Sequence, residues 1–455
     1  CAEVARDAGA IGELRIYFGS QTGKAESFAH DLCHEALGRG LVASVIDLES
    51  VSPSALVDGG GASVFLLSNT GDGDPPDNAV SFHRWLSDPA TPVDSLRGLP
   101  FAVFGLGDRT YVHFNRTGVQ ADAGLERLGA RRVLALGLGD DGGDIGADFR
   151  SWVGSGFFEA VAPFVKKSAG VVAAPLHETL GADLDFELLP ARSDAEGCRE
   201  EIGVEDAEKA SAEATDVVAK FYFKASRARV ALVRELRQRP RPDVGDSTAH
   251  VEFDVSGCPA LSSYAAADTL ELLPENDIHE VLQLLPLFGL VEGDLDRMVT
   301  FRPRAPGRTM WRPFPTPCRL RVALLRYCDL RRAPTRRMLA AMSSRLGDEA
   351  KGCIERLLKD PASMRLLNDE SLAWTQYEFW QALLSTGSDR LDLGTFLLLC
   401  PRQLPRPYTI ASSSSATPGF LHLCVSLASR GDGRAPPSLD VAAAELAARG
   451  ALPAG

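Results

Sequence analysis

The stretch Leu14–Ala25, LRIYFGSQTGKA, decides the reading of the whole chain. Leu14, Ile16 and Phe18, with Arg15 and Tyr17 between them, make a short alternating or buried strand. Gly19 to Ala25 turns, and from Glu26 onward Phe28, Ala29, Leu32 and Leu37 recur at helical spacing. A strand feeding a hydroxyl-and-glycine loop that opens a helix is an anion site. Ser20 and Thr22 offer hydroxyls, Gly23 lets several backbone N–H groups converge, and the helix N-terminus adds positive potential. The spacing is neither the phosphate loop G-x-x-x-x-G-K-[ST], because Lys24 follows the wrong glycine, nor G-x-G-x-x-G. Taken alone, the stretch fits a plain strand–turn–helix connection as readily as a phosphate monoester site.

A chain of 455 residues predicts two to three domains, and 45% apolar with 24% charged residues marks it as globular. No run approaches the ~18–20 apolar residues of a membrane span. The sequence opens at Cys1 with no charged-then-apolar leader, so we expect a piece of a longer protein, with a parent anchored to the cytosolic side of the endoplasmic reticulum membrane or fused at its N-terminus as open alternatives. Nine scattered cysteines without a C-x-x-C predict reduced thiols in a cytoplasmic setting. The eight histidines form no H-E-x-x-H or Cys/His motif, so no metal site is expected. Of the net charge of −13, residues 1–165 carry −10, from 12 Lys+Arg against 22 Asp+Glu. Such an acidic body disfavours nucleic acid and favours a basic protein partner.

Outward from the opening stretch, strand candidates (Leu14–Phe18, Val42–Ile46, Val64–Leu67, Phe101–Leu106, Arg132–Leu136) alternate with helix candidates (Glu26–Gly38, Asn78–Ser87, Gly118–Leu128). The alternation predicts an α/β doubly wound parallel sheet with ligands outside the carboxyl ends of its strands. Three loops fall there: Ser20–Ala25, Ser68–Asn78 (SNTGDGDPPDN) and Gly105–Asn115 (GLGDRTYVHFN). A phosphate loop, a glycine-rich loop and an aromatic loop on one edge suit a phosphorylated flat ring, with Tyr111 stacking on it. For Tyr111 and Phe114 singly, helix-cap packing remains the alternative.

These stretches, GSQTGKAESFA, SNTGDGDPPDNA and FGLGDRTYVHFN, followed by GLGDDGGDIGADFRSW, resemble the FMN domain of the diflavin reductases, most of all the NADPH–cytochrome P450 reductase branch. The resemblance covers residues 14–165 and implies a flavodoxin-like fold holding FMN. It implies a phosphate on Ser20, Gln21, Thr22, Gly23, Lys24 and Ala25. It places the isoalloxazine among Thr70, Gly71, Gly73, Leu106, Gly107, Tyr111, His113, Phe114 and Asn115, with Asp141 near the ring edge. Lys24 stands where the family has a small hydroxyl residue, and Thr70 where the P450-reductase branch has an aromatic.

Residues 166–215 are rich in Ala, Glu and Asp and read as a linker, helical around Glu205–Lys220, either a hinge or a covering segment. From about 220 the texture turns to short strands, at Phe221–Ala225, Val230–Leu236, His250–Val255 and Tyr264–Asn276, as in an antiparallel barrel. Residues 280–395 read as largely helical, at Ile278–Leu287, Cys318–Tyr327, Met338–Leu346 and Tyr377–Leu384, before strands return at Arg402–Ser415 and Phe420–Ala428. PFPTPCRLRVALLRYCDL resembles the start of the family's helical connecting domain, and RPYTIASS its FAD-barrel signature R-x-Y-[ST]. The domains expected are therefore 1–165 (FMN), 166–215 (linker), 216–285 and 396–455 (two parts of an FAD-binding β-barrel) and 286–395 (helical insertion). By the same resemblance, Arg406 neutralises the FAD pyrophosphate, Tyr408 stacks on the flavin, and Thr409, the one catalytic residue expected, hydrogen-bonds near N5. The family's G-V-x-[ST] loop has no match in Ser429–Gly455, the glycine usual before Asp268 is Ala267, and no pyridine-nucleotide unit follows.

The resemblance implies an electron-transfer flavoprotein. In the parent, electrons pass from NADPH through FAD and FMN to a basic-faced acceptor such as cytochrome P450 or cytochrome c. Asp72, Asp74, Asp77, Asp140, Asp141, Asp144 and Asp148 are the docking candidates. The alternatives are the reductase module of a larger fusion, of the pyruvate:NADP oxidoreductase or sulfite/methionine-synthase reductase type, and a truncated flavin-binding fragment that is not an enzyme.

Overall fold

The computed structural model describes residues 11–51, 56, 60–143, 145–167, 184–190, 217–237, 247–258, 261, 264–265, 267–303, 313–368, 372, 374–385, 389–427 and 437–453. The chain divides into two compact units, residues 1–180 with 216–218, and residues 181–215 with 219–455.

In the first unit, six strands form one parallel sheet: β1 Glu13–Gly19, β2 Ala43–Asp47, β3 Gly61–Ser68, β4 Pro100–Gly107, β5 Arg131–Arg132 and β6 Gly137–Asp140. The order is β2-β1-β3-β4-β5, with β6 also on β4. Helices α1 Lys24–Gly38, α2 Val80–Ser87, α3 Arg116–Arg127 and α4 Ile145–Gly154 connect and cover it. Gly61–Leu67 of β3 are all buried, as an unbroken apolar run in a sheet covered on both faces must be. On one face Phe65 stacks between Tyr17 and Phe82, at 5.0 and 5.2 Å between centroids. On the other, Phe104 meets Phe149 and Trp152 at 5.1 and 5.4 Å. The single last strand expected at Arg132–Leu136 is instead two pieces. Between them the carbonyl of Ala135 accepts a hydrogen bond from Trp152 Nε1 (2.8 Å), a side chain standing in for a ladder partner.

The second unit is antiparallel and helical. Strands β8 Arg229–Glu235, β9 Ser247–Asp254 and β14 Phe420–Leu427 form one sheet in the order β14-β9-β8; β10 Thr269–Leu272 pairs with β13 Arg406–Thr409; and β7 Leu184–Leu189 and β12 Cys318–Arg319 flank β11 Met298–Pro303. Among the helices are Ile278–Leu284, Arg336–Ser343, Asp348–Lys359, Gln376–Leu384 and Leu393–Leu399.

Three expectations change here. The segment 221–225 is the end of a helix, Val217–Lys224, not a strand. Val218 and Tyr222, then Ala219 and Phe223, are buried at i, i+4 spacing, which a five-residue window cannot reveal. The stretch read as linker contains β7, paired with β11 from Leu184 opposite Pro303 to Leu189 opposite Met298. Its period of two, with Phe186 and Leu188 beside acidic Asp185 and Glu187, was hidden by the polar composition around it. Likewise β11 lies inside the region read as helical. The rest of the linker reading, 168–183 and 191–216, the segment 428–436 and Asp144 lie outside the described residues. Among the described residues no helix is long and apolar enough to cross a membrane, and seven cysteines are free thiols.

Candidate flavin sites

In the first unit the strand order reverses at β1 and β3, and the three loops follow β1, β3 and β4, which are neighbours. They therefore meet on one edge, as a switch-point site requires. In the first loop, Gly23 is the residue before α1 and has φ 83°, a left-handed turn that only glycine makes without strain. No side chain caps α1, so its first N–H groups remain available to an anion. The backbone N–H of Ser20 donates to Asn78 Oδ1 (2.9 Å), and Asn78 Nδ2 donates to Asp47 Oδ1 (2.9 Å). Gln21 is clamped to Asp77, donating from Nε2 to Oδ2 (3.0 Å) and accepting from the Asp77 N–H (3.1 Å). Thr22 and Lys24 are exposed and Ala25 is buried. Lys24 Nζ forms an ion pair with Asp141.

The second loop is folded on itself. Thr70 and Asp74 exchange backbone hydrogen bonds at 2.8 and 2.9 Å around Gly71 and Gly73. It is also fastened to the third loop. Asn69 Nδ2 donates to the His113 carbonyl (2.8 Å), Asn69 Oδ1 accepts from the Thr117 N–H (3.0 Å), and Thr117 Oγ1 donates to the Asp74 carbonyl (3.2 Å). A Cβ on Gly73 would lie 2.5 Å from that of His113, so the two loops meet only because Gly73 is a glycine. His113 Nε2 is 3.8 Å from Asp72 Oδ2.

In the third loop Leu106 is buried and Gly107 half-buried. Tyr111 is 61% exposed and Val112 89%, an apolar tip offered to solvent. Phe114 is half-buried beneath the Arg109 guanidinium, 4.4 Å from its centroid, and Arg109 Nε also pairs with Asp140 Oδ2 at 3.2 Å. Asn115 is fully buried in the left-handed conformation at φ 53°, donating from Nδ2 to the Gly139 carbonyl (2.9 Å). It ties the loop to β6 from within, a brace rather than a surface. Asn69, Asn78 and Arg109 were not read from the sequence as site residues, and Asp77 was read as a docking acid and not as the partner of Gln21, since these roles depend on loops distant in the chain.

Whether these residues fit a flavin phosphate turns on Ser20. Its hydroxyl is buried and has no hydrogen-bond partner, at the loop where the phosphate is expected. A buried polar atom left unpaired costs about 1–3 kcal/mol, and a phosphate oxygen there supplies the missing acceptor. The residues fit.

In the second unit the expected FAD residues lie on β13, whose register sets Arg406 opposite Leu272, Tyr408 opposite Leu270 and Thr409 opposite Thr269. Arg406 and Tyr408, two residues apart, share one face, and Thr409 points to the other. Tyr408 packs at the border of the small core of Val255, Ile410, Leu421 and Leu423. Beside this strand pair lies a cavity of ≈ 310 Å³ lined in part by Tyr264, Asp268, Thr269 and Ile410. Tyr264 Oη meets Ser412 Oγ at 2.6 Å, and the Ile410 N–H donates to the Asp268 carbonyl (2.8 Å). Ala267, where the family has glycine, has φ 67°. Arg406, Tyr408 and Thr409 themselves are not among the residues that line the cavity.

Residues 16–152 match the flavodoxin family and residues 222–442 the FAD binding domain family. The chain is 32% identical over 418 residues to NADPH–cytochrome P450 reductase of Homo sapiens, 31% over 420 to that of Bos taurus and 30% over 424 to that of Musca domestica. Each alignment covers 90% of this chain and 58% of the relative, so the chain spans under two thirds of their length. Among solved structures, a Streptococcus pneumonia TIGR4 flavodoxin aligns with 33% of this chain and 97% of its own at 24% identity and a TM-score of 0.28. With an FMN-type flavodoxin domain followed by an FAD-binding domain, and this identity running through both, the chain belongs to the diflavin reductase family.

Proposed function

We propose that this chain is the two-flavin part of an NADPH-dependent hemoprotein reductase. The observation that carries the reading is the buried, unpartnered Ser20 hydroxyl at the edge where three loops converge. Bound flavins supply the conversion of two-electron hydride chemistry into single-electron delivery. The chain's own residues bind and orient them. Ser20, Thr22 and the backbone of Gly23–Ala25 hold the phosphate, with the Lys24 cation in the same loop and Gln21 stiffening it through Asp77. The backbone of Thr70, Gly71, Gly73, Leu106 and Gly107 borders the ring, Tyr111 is its plate, and Asp141 lies at its edge. His113, Phe114 and Asn115 hold the third loop in shape. On the second unit, Arg406 takes the pyrophosphate, Tyr408 covers the ring, and the Thr409 hydroxyl orients the N5 edge.

NADPH as donor and a hemoprotein as acceptor are drawn from the names of the relatives. A basic acceptor surface fits the exposed carboxylates of Asp72, Asp74 and Asp77. Asp140 and Asp141 already have cationic partners, and Asp148 accepts the Asp140 N–H at 2.9 Å. Flavin release and chromatography on the purified chain should return close to one FMN per chain. Dithionite-reduced chain, freed of excess reductant, should then reduce cytochrome c. A colourless protein, or one carrying FAD alone, overturns the reading.

A further inference from the structure

β9 and β14 run antiparallel, and their register sets His422 opposite Glu252 and Cys424 opposite His250. His250 and Glu252 are two residues apart on one strand, so they and His422 project from the same face of the sheet. The opposite face carries Leu421, Leu423 and Phe253 into the small core. That core fixes the register, and with it the positions of the three polar side chains. His250 Nε2 lies 3.0 Å from Glu252 Oε1, and the His250 and His422 ring centroids are 5.0 Å apart at 77°. One ligand atom from each of the three lies within 4.8 Å of the other two. All three residues are half-buried, which holds them in place yet leaves them within reach of a small ion.

A zinc ion bound at about 2.0–2.2 Å by imidazole nitrogen and carboxylate oxygen needs its ligand atoms roughly 3.3 Å apart. The cluster is within small side-chain rotations of that arrangement. Its chemistry selects the ion. Two imidazoles and one carboxylate suit Zn²⁺ and its first-row neighbours, whereas Ca²⁺ and Mg²⁺ demand oxygen ligands. Three protein ligands leave a position for water. No linear motif announces the set, because two ligands are two residues apart on one strand and the third comes from a strand far along the chain.

We propose that His250, Glu252 and His422 bind one divalent transition-metal ion of the zinc type, pinning β9 to β14 across their ladder. The ion requires the folded register, so it binds the native state and raises the melting temperature of the second unit. The test is a Co²⁺ titration of the full 455-residue chain with its flavins. One Co²⁺ per chain should give the visible absorption of a four- or five-coordinate site without thiolate charge-transfer bands, and Zn²⁺ should displace it. Glu252→Gln should weaken Co²⁺ binding at least about tenfold, and His422→Ala should abolish it, with flavin content reporting that each variant is folded. Added Zn²⁺ should raise the melting temperature of the parent chain and leave that of Glu252→Gln unmoved. If His422→Ala does not fold, Glu252→Gln alone decides. The absence of Co²⁺ uptake, binding unchanged in Glu252→Gln, or thiolate bands assigning the metal to cysteines would each overturn the proposal.

Discussion

His83 on α2 is 5% exposed, and its Nε2 has no hydrogen-bond partner. Burial lowers its pKa from 6.5 to about 4, because an imidazolium there loses its hydration. The folded chain therefore takes up this proton later than the unfolded chain does. The contribution of His83 to stability is intact above pH 6.5 and is lost as the pH falls from 6.5 towards 4, by about 1.4 kcal/mol per unit and roughly 3 kcal/mol in all. Urea unfolding at pH 7.5 and pH 5 should show the loss, and His83→Leu should remove about 2 kcal/mol of it; an undiminished pH dependence would assign the loss to other groups. Ala267 is the second residue with a measurable cost. At φ 67° its Cβ crowds the backbone, and Ala267→Gly should stabilise the second unit by ~0.5–1 kcal/mol, the relief of strain exceeding the freedom gained by the unfolded chain. A destabilised variant would show that this turn is not strained. The missing glycine was legible in the sequence as a departure from the family pattern. The buried role of Asn115 was not, because a side chain's burial depends on which distant segment lies over it.

At the scale of elements, strands and helices of the first unit were legible wherever one period ran long enough. The unbroken apolar run of β3 and the helical spacing of α1 each admit one structure. Legibility failed where the window was shorter than the pattern, as in the helix Val217–Lys224, and where composition masked the period, as in β7. The loops carry function because the sheet edge fixes both of their ends. Tyr111 is exposed on the third loop, so Tyr111→Ala should leave the fold intact and weaken FMN binding by ~1–3 kcal/mol if it is the ring's plate. FMN titration of the flavin-stripped protein measures this, and an unchanged dissociation constant would reduce Tyr111 to a surface residue. Gly73→Ala tests the packing of the second loop on the third. Its φ of 87° and the 2.5 Å approach to His113 Cβ require the loops to part, at a cost of about 1–3 kcal/mol. FMN affinity should fall while the β3 and β4 ladder, read by amide exchange, stays protected. Tight FMN binding by this variant would mean that the two loops need not touch.

For the whole molecule, the charge read from composition has been redistributed by folding. The first 165 residues carry −10, but Arg109 on Asp140 and Lys24 on Asp141 already satisfy two carboxylates at the loop edge, leaving Asp72, Asp74 and Asp77, among the described residues, as exposed acids of that edge with no Lys or Arg in an ion pair with them. A sum over the sequence could not separate paired from unpaired charge, because each pair joins residues on different loops. Long-range attraction between the exposed acids and a basic acceptor reaches about 30 Å at 0.01 M salt and about 10 Å at 0.1 M. The rate at which chemically reduced chain reduces cytochrome c should therefore fall as salt rises across that range. Joint replacement of Asp72, Asp74 and Asp77 by asparagine should lower the rate at low salt and flatten its salt dependence. Asp140→Asn should do less, since it removes a charge that Arg109 already opposes and exposes that cation in its place. Stopped-flow traces over the salt series distinguish the outcomes. A rate independent of salt, or an equal loss from Asp140→Asn and from the triple replacement, would show that the acidic loop edge does not guide the acceptor.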